Sequence, residues 1–323
     1  MLVTHPANFV EGALRPDPPA SAEYRMIEFM SDGAVLRGRL YLPDRRPAPV
    51  VVMAHGFSAT IPMVMDRYAE RFHDHGLAVL AFDHRGHGSS DGEPRGEINP
   101  WVQALGYIDA ISAARALAEI GSSPVALWSD SLGARVALGV AALDDRLSGL
   151  VCQVPALGGA PAADDLDGQR LAAMERFLRT GSVRTSSDAW TSSAVVSPDQ
   201  IASPSALKPL TAFRWFIEYG GRYGTGWTNR VVVTAPDDAP PFDPFACASR
   251  IHVPTLFAMS HDDEMPGAVS DVTRAVFDRI PGLKELIEVE GGHFGILEYP
   301  SPAFERASRA QAVFLARILG LPA

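Results

Sequence analysis

Six short apolar runs punctuate this chain, and most of them stand too far apart to be joined by hairpins. They are residues 49–54 (PVVVMA), 77–82 (LAVLAF), 124–128 (PVALW), 150–154 (LVCQV), 254–259 (PTLFAM) and a weaker one at 286–289. A strand covered on both faces has no polar alternation, so a continuous apolar run of this length is the signature of a buried parallel strand. Parallel neighbours need a crossover, and helical stretches lie where crossovers belong. One surrounds Tyr68 and Phe72; a second covers 101–120, with Val102, Leu105, Ile108, Ile111 and Leu117 near helical spacing. Others start at Ser131, cover 269–280, and run over 304–319. Ahead of these, Ser31-Asp32-Gly33 separates two apolar-rich runs and predicts an antiparallel hairpin at the start. The order argues an α/β fold: a doubly wound, mostly parallel sheet with an antiparallel edge.

About 95 residues separate the fourth run from the fifth without βαβ alternation. Two helix-like stretches, 166–178 and 207–219, sit there among Ser-, Pro-, Gly- and Asp-rich loops. The expected organisation is therefore a surface extension (1–22), a core (23–155 and 250–323), and a mainly helical cap (156–249) over the C-terminal edge of the sheet. With 323 residues, one core plus an insertion is the natural division.

Composition excludes several classes. The 28 basic and 38 acidic residues leave a formal charge of −10 with no basic cluster, so a nucleic-acid partner is not expected. No stretch approaches 18 uninterrupted apolar residues, which excludes a spanning helix on sequence grounds. The first residues, MLVTHPANFVEGALRPDPP, lack a basic and an apolar region, so a signal peptide is not expected and a cytoplasmic location is. Cys152 and Cys247 make no disulfide framework or metal spacing. His261, Asp262, Asp263 and Glu264, like His73 and His75, are too close in sequence to converge on one ion, so neither metal nor cofactor is implied. The oligomeric state stays open, a homodimer included.

The chemistry concentrates at three strand ends. PVALW runs directly into Ser129-Asp130-Ser131-Leu132-Gly133 and then into helix-forming ARVALGVAAL. A strand, a tight turn and a helix place Ser131 at the apex, as in the nucleophile elbow written G-x-S-x-G, here with Ser129 in the first small position. Were Asp130 the nucleophile, the small positions would fall on Trp128 and Leu132, which are not small. The competing reading of Ser131 is a helix N-cap. Context favours the nucleophile, because a serine hydroxyl needs a base and the base an orienting acid. Ser260-His261-Asp262-Asp263-Glu264 follows the fifth run, and Gly291-Gly292-His293 follows the sixth.

These motifs, with His55-Gly56-Phe57 and Asp83-His84-Arg85-Gly86-His87-Gly88, make the sequence resemble the α/β-hydrolase superfamily over 25–155 and 250–320. The runs RYAERFHDHGLAVLAFDHRGHGSSDGEPR and GWTNRV are similar to esterase- or dienelactone-hydrolase-like members, some of them tied to secondary metabolism and polyketide processing. The resemblance implies Ser131 as nucleophile, His293 as base, and the backbone amides of Phe57 and Leu132 as the oxyanion hole. It implies Asp263 as the acid, three residues after Ser260, with Asp262 as the alternative. His55 reads as a buried scaffold histidine, and Asp83, Arg85 and His87 as architectural.

The implied activity is a serine hydrolase acting on an ester, thioester or lactone of a small to medium, apolar or aromatic molecule. The alternatives are an acyltransferase, cyclase or C–C hydrolase with the same triad, or a non-catalytic binder on the same fold. Met63, Trp190, Phe213, Trp215, Phe216, Tyr219 and Trp227 are the candidate substrate contacts.

Overall fold

The computed structural model describes residues 22–160, 163–164, 168–180, 183 and 190–321. The extension expected over 1–22 lies, but for Ala22, outside them. Strands β1 (Arg25–Ser31) and β2 (Ala34–Tyr41) form the expected hairpin, closed by Asp32 and Gly33, both with positive φ. There follow β3 (Val50–Ala54), α1 (Met65–Asp74), β4 (Ala78–Phe82), β5 (Glu97–Ile98), α2 (Pro100–Ala116), β6 (Val125–Asp130), α3 (Ser131–Leu143) and β7 (Gly149–Gln153). The segment between β7 and the next strand of the main sheet contributes α4 (Gln169–Thr180), β8 (Thr191–Val196), β9 (Ser205–Leu207), α5 (Leu210–Trp215), a π-helical turn (Phe216–Gly220), β10 (Val231–Val233) and α6 (Pro244–Ala248). The chain ends with β11 (Thr255–Met259), α7 (Ser270–Arg279), β12 (Lys284–Glu288), α8 (Gly292–Gly295) and α9 (Pro302–Ile318).

Eight strands make one sheet in the order β1-β2-β4-β3-β6-β7-β11-β12, antiparallel across β1-β2-β4 and parallel beyond. Its two faces explain why the apolar runs show no alternation. In β3, Val50, Val52 and Ala54 join one core while Val51 and Met53 join the other. Leu80 and Phe82 of β4 are likewise divided from Val79 and Ala81, and Leu127 of β6 from Trp128. The first core packs against α2, α3, α6 and α7 (Tyr107, Ile111, Leu138, Val276); the second packs against α1 and α9 (Tyr68, Phe72, Phe304, Phe314). Each strand residue thus faces a helix layer, and successive side chains of one strand serve opposite layers.

The segment 156–249 contains strands as well as the expected helices. β8, β9 and β10 join β5 in a four-stranded sheet, so a piece of chain from beyond the insertion takes part in it. The helix-like reading of 207–219 divides accordingly. Leu207 ends β9, and the helix begins at Leu210 and widens into the π-helical turn. α4 and α6 pack on the first core through Leu171, Met174, Phe245 and Cys247, whereas Val195, Ala212, Trp215 and Phe216 extend the second. The small sheet is tied to the loop after β4 by Glu97, which is buried, accepts from Arg85 at 2.7 Å and receives the Thr234 hydroxyl at 2.9 Å. No described helix is long and apolar enough to cross a membrane.

Candidate active site

Ser131 is the first residue of α3 and follows β6 without a linker. Such a reversal crowds the backbone, and the crowding is visible. Ser131 has φ of 51°, a region that non-glycine residues rarely occupy. A Cβ on Gly133 would lie 2.2 Å from the Ser129 oxygen and 2.7 Å from the His55 carbonyl oxygen. One on Gly56 would meet the Asp130 carbonyl oxygen and the Ser131 Cβ, both at 2.8 Å. The two glycines therefore let the loop after β3 close onto the start of α3. Ser129, fully buried, donates its hydroxyl to the Ala54 carbonyl at 2.8 Å.

The loop after β12 brings His293 to the same point. His293 Nε2 lies 2.9 Å from Ser131 Oγ, and its Nδ1 lies 2.7 Å from Asp263 Oδ2. The side chains of His293 and Asp263 are each 3% exposed. Asp263 is held by the Met265 amide on Oδ1 at 2.9 Å, and the His293 amide donates to Glu264 at 2.8 Å. Asp262 is turned elsewhere. Its Oδ1 accepts from the Ser260 hydroxyl at 2.5 Å and the Gly292 amide at 3.2 Å, and these bonds hold its carboxyl below the usual carboxylate range. One acid of the pair thus reaches the imidazole; the other braces the turn.

Above Ser131 lies a cavity of about 430 Å³. Gly56, Phe57, Asp130, Leu132 and His293 form its floor, and Leu207, Lys208, Trp215, Phe216, Met265 and Leu297 are among its walls. Of the seven candidate substrate contacts, Trp215 and Phe216 line it. The other five are placed differently. Met63 is buried in the second core, and Trp190 is 36% exposed away from the cavity. Phe213 packs against that core. Tyr219 bonds with the backbone of Tyr299, accepting its amide at 2.9 Å, and Trp227 packs beneath Gly220 and beside Phe216. Aromatic side chains bury the most area, so most of this concentration is spent on joining the insertion to the sheet. Trp215 does both: its indole N–H donates to the Leu297 carbonyl at 2.8 Å while its ring packs, tilted by 32°, against Phe294, the neighbour of His293.

Leu207, Lys208, Met265 and Leu297 were not singled out by sequence. Met265 stands two residues after Asp263 and could have been found by adjacency; the others carry no motif. Asp130 is the cavity's buried acid, and desolvation raises its pKa to about 6. His55 is buried, places Nδ1 2.9 Å from the Gly56 carbonyl, and is lowered by burial to about 4. Asp83 accepts the amides of Ile61 at 2.9 Å and Ser89 at 3.0 Å and so pins the loop after β4. Cys152 is buried in the first core, and its thiol is raised strongly by burial. Among the described residues no group of three His, Cys, Asp or Glu is arranged to hold a metal ion.

Known proteins share this architecture. The family model described as serine aminopeptidase, S33, matches residues 45–221. A quorum-quenching protein of Acinetobacter baumannii, AidA, is 30% identical over 91% of this chain and 94% of its own. A thiohydrolase of Aspergillus aculeatus, aneE, is 39% identical over 41% of this chain and 42% of its own. GrgF of Penicillium, named a polyketide transferase, is 34% identical over 40% of this chain and 44% of its own. The crystal structure of GrgF superposes with a TM-score of 0.73 at 23% identity, covering 93% of this chain and all of that one. These likenesses support hydrolase or acyltransferase activity. With its eight-stranded sheet and a family match over more than half its length, the chain belongs to the serine aminopeptidase S33 family of α/β hydrolases.

Proposed function

We propose that this protein is a serine hydrolase that cleaves an ester, thioester or lactone of a small to medium, largely apolar acyl compound through an acyl-enzyme. The observation that carries this reading is the relay from Asp263 to His293 to Ser131, with contacts of 2.7 and 2.9 Å, at the floor of a mostly apolar cavity. His293 Nε2 takes the proton from Ser131 Oγ as the oxygen attacks the substrate carbonyl. The amides of Phe57 and Leu132 hold the oxyanion, which accumulates charge only as the transition state is approached. Collapse expels the alcohol or thiol, which receives the proton from His293. Water then gives its proton to His293, attacks the acyl-serine, and releases the acid and the free hydroxyl. Asp263 fixes the tautomer with Nδ1 protonated and stabilises the imidazolium as it forms. The insertion acts as a cap that excludes bulk water and shapes the acyl site.

A fluorophosphonate probe tests the nucleophile. Wild type and Ser129→Ala are expected to label, and Ser131→Ala is expected neither to label nor to turn over p-nitrophenyl esters. An unlabelled wild type together with unchanged turnover in Ser131→Ala defeats the reading.

Acyl transfer is the second reading. The apolar walls formed by Leu207, Trp215, Phe216, Met265 and Leu297 limit the water that can compete for the acyl-enzyme, and GrgF is among the relatives named transferases. Product analysis with a competing alcohol or thiol separates the two outcomes: the free acid marks a hydrolase, the new ester or thioester a transferase.

A further inference from the structure

Among the polar side chains of the cavity floor, the relay leaves one unused, the carboxyl of Asp130. Asp130 occupies the N-cap position of α3, where an aspartate ordinarily accepts from the first amides of its helix. The chain follows that habit elsewhere. Asp243 caps α6 through the amides of Phe245 and Ala246 at 2.9 and 3.1 Å, and Asn99 caps α2 through Trp101 at 3.0 Å. Asp130 makes no capping bond. It is 7% exposed, lines the cavity beside Ser131 and His293, and its Oδ1 is buried without a hydrogen-bond partner. Leaving a buried acceptor unmet is costly, more so for a charged one. The nearby Gly56 amide favours its ionised form but does not satisfy Oδ1.

We propose that Asp130 is a substrate-binding residue that accepts a hydrogen bond from a neutral donor, a hydroxyl or an amide N–H, close to the scissile carbonyl of the acyl substrate. This rests on the serine-hydrolase reading and narrows its substrate class. The donor is neutral rather than an ammonium because Lys208 lines the same cavity and an imidazolium forms at His293 during turnover. Proximity to the carbonyl follows from position, since Asp130 is the residue immediately before the attacking serine. The groups that face the carboxyl electrostatically are His293 from α8, Tyr68 from α1 and Tyr107 from α2. Both tyrosines are held neutral by burial, and Tyr107 donates to the Ala54 carbonyl. His293 serves every substrate alike, so a ratio between two substrates does not depend on it.

The experiment compares N-acetylcysteamine thioesters in matched pairs. Two pairs set 2-hydroxyhexanoate and 3-hydroxyhexanoate against hexanoate; a third sets N-acetylglycine against 4-oxopentanoate, which replaces the N–H by a methylene. The wild type is expected to prefer the donor-bearing member of at least one pair by about 10- to 100-fold in kcat/KM, as for a hydrogen bond to a charged acceptor. Asp130→Ala is expected to bring that ratio to within about threefold of unity. The ratio is internal to each variant, so a general loss of active protein does not enter it. In the wild type the ratio falls as pH is lowered through about 6, where the carboxylate takes a proton. In Asp130→Asn, which keeps the shape of the side chain, it does not vary with pH. A preference that survives in Asp130→Ala overturns the proposal. So do wild-type ratios near unity in all three pairs, a wild-type ratio independent of pH, or absence of thioester turnover while Ser131 still labels. Failure of Ser131→Ala to abolish labelling defeats the serine reading instead, and the two failures are distinct.

Discussion

Replacing Asp263 by Asn is the sharpest probe of the relay, because the adjacent Asp262 supplies its own control. Asp263 Oδ2 lies 2.7 Å from His293 Nδ1 with both side chains 3% exposed. During turnover the imidazole becomes positive, and the carboxylate stabilises it. With an effective dielectric of about 20, unit charges at that separation attract by about 6 kcal/mol. At about 1.36 kcal/mol per decade this corresponds to roughly four decades of rate. Asn removes the charge and presents an N–H to Nδ1 in one orientation, favouring the tautomer whose Nε2 cannot accept the serine proton. Asp263→Asn is therefore expected to lower kcat by about 10⁴ with little change in KM. Asp262→Asn keeps a carbonyl oxygen for Ser260 and Gly292 and loses only charge outside the relay; its kcat is expected to stay within about tenfold of wild type. Stopped-flow acylation with p-nitrophenyl hexanoate reads both, with circular dichroism to verify folding. If Asp263→Asn retains more than about a tenth of the wild-type rate, or Asp262→Asn shows the larger loss, Asp263 is not the orienting acid.

Gly133→Ala places a methyl group 2.2 Å from the Ser129 oxygen and 2.7 Å from the His55 carbonyl, so the urea midpoint should fall by the equivalent of about 3 kcal/mol. Adding Ser129→Gly removes the nearer clash and should recover part of that loss; no recovery argues against the crowding account. Acid should also weaken the fold. Burial lowers His55 to about 4, His87 to about 3 and His84 well below its usual value, so all three bind protons more readily once unfolded. Their stabilising effect is complete above about pH 6.5 and is lost progressively as pH falls toward the folded-state values. Three protons correspond to a slope of up to about 4 kcal/mol per pH unit. Asp130, raised to about 6, opposes this from about pH 6 downward, and so do Asp83 and Asp109, whose carboxyls burial also raises. Denaturant titrations between about pH 7 and 4.5 should show falling stability, and a flat profile refutes the account.

The central sheet was readable because its cause is local. A strand covered on both faces must be apolar throughout, and β3, β4, β6, β7 and β11 write this directly into the sequence. The elbow was readable for a related reason: Gly133 and Ser129 answer to contacts of 2.2–2.8 Å that larger side chains cannot satisfy. The insertion was harder. β8, β9 and β10 are short, and their sheet is completed by β5, a two-residue strand from a different part of the chain. No periodicity survives in three residues, so Leu207 read as helix although it ends a strand and lines the cavity.

What the chain determines by itself is the parallel sheet, the turn that exposes Ser131, and the order in which Ser131, Asp263 and His293 follow their strands. These depend on neighbours in sequence and on the fixed geometry of strand, turn and helix. Tertiary structure alone decided which carboxylate meets His293, since Asp262 and Asp263 differ only in the direction a single turn gives them. It also decided that Trp215 and Phe216 line the cavity while Tyr219 and Trp227 are spent on packing, and that Asp130 lines the cavity without capping its helix. Each of these is a question of direction among chemically similar side chains, and direction is set by what lies opposite in space, often many residues away along the chain.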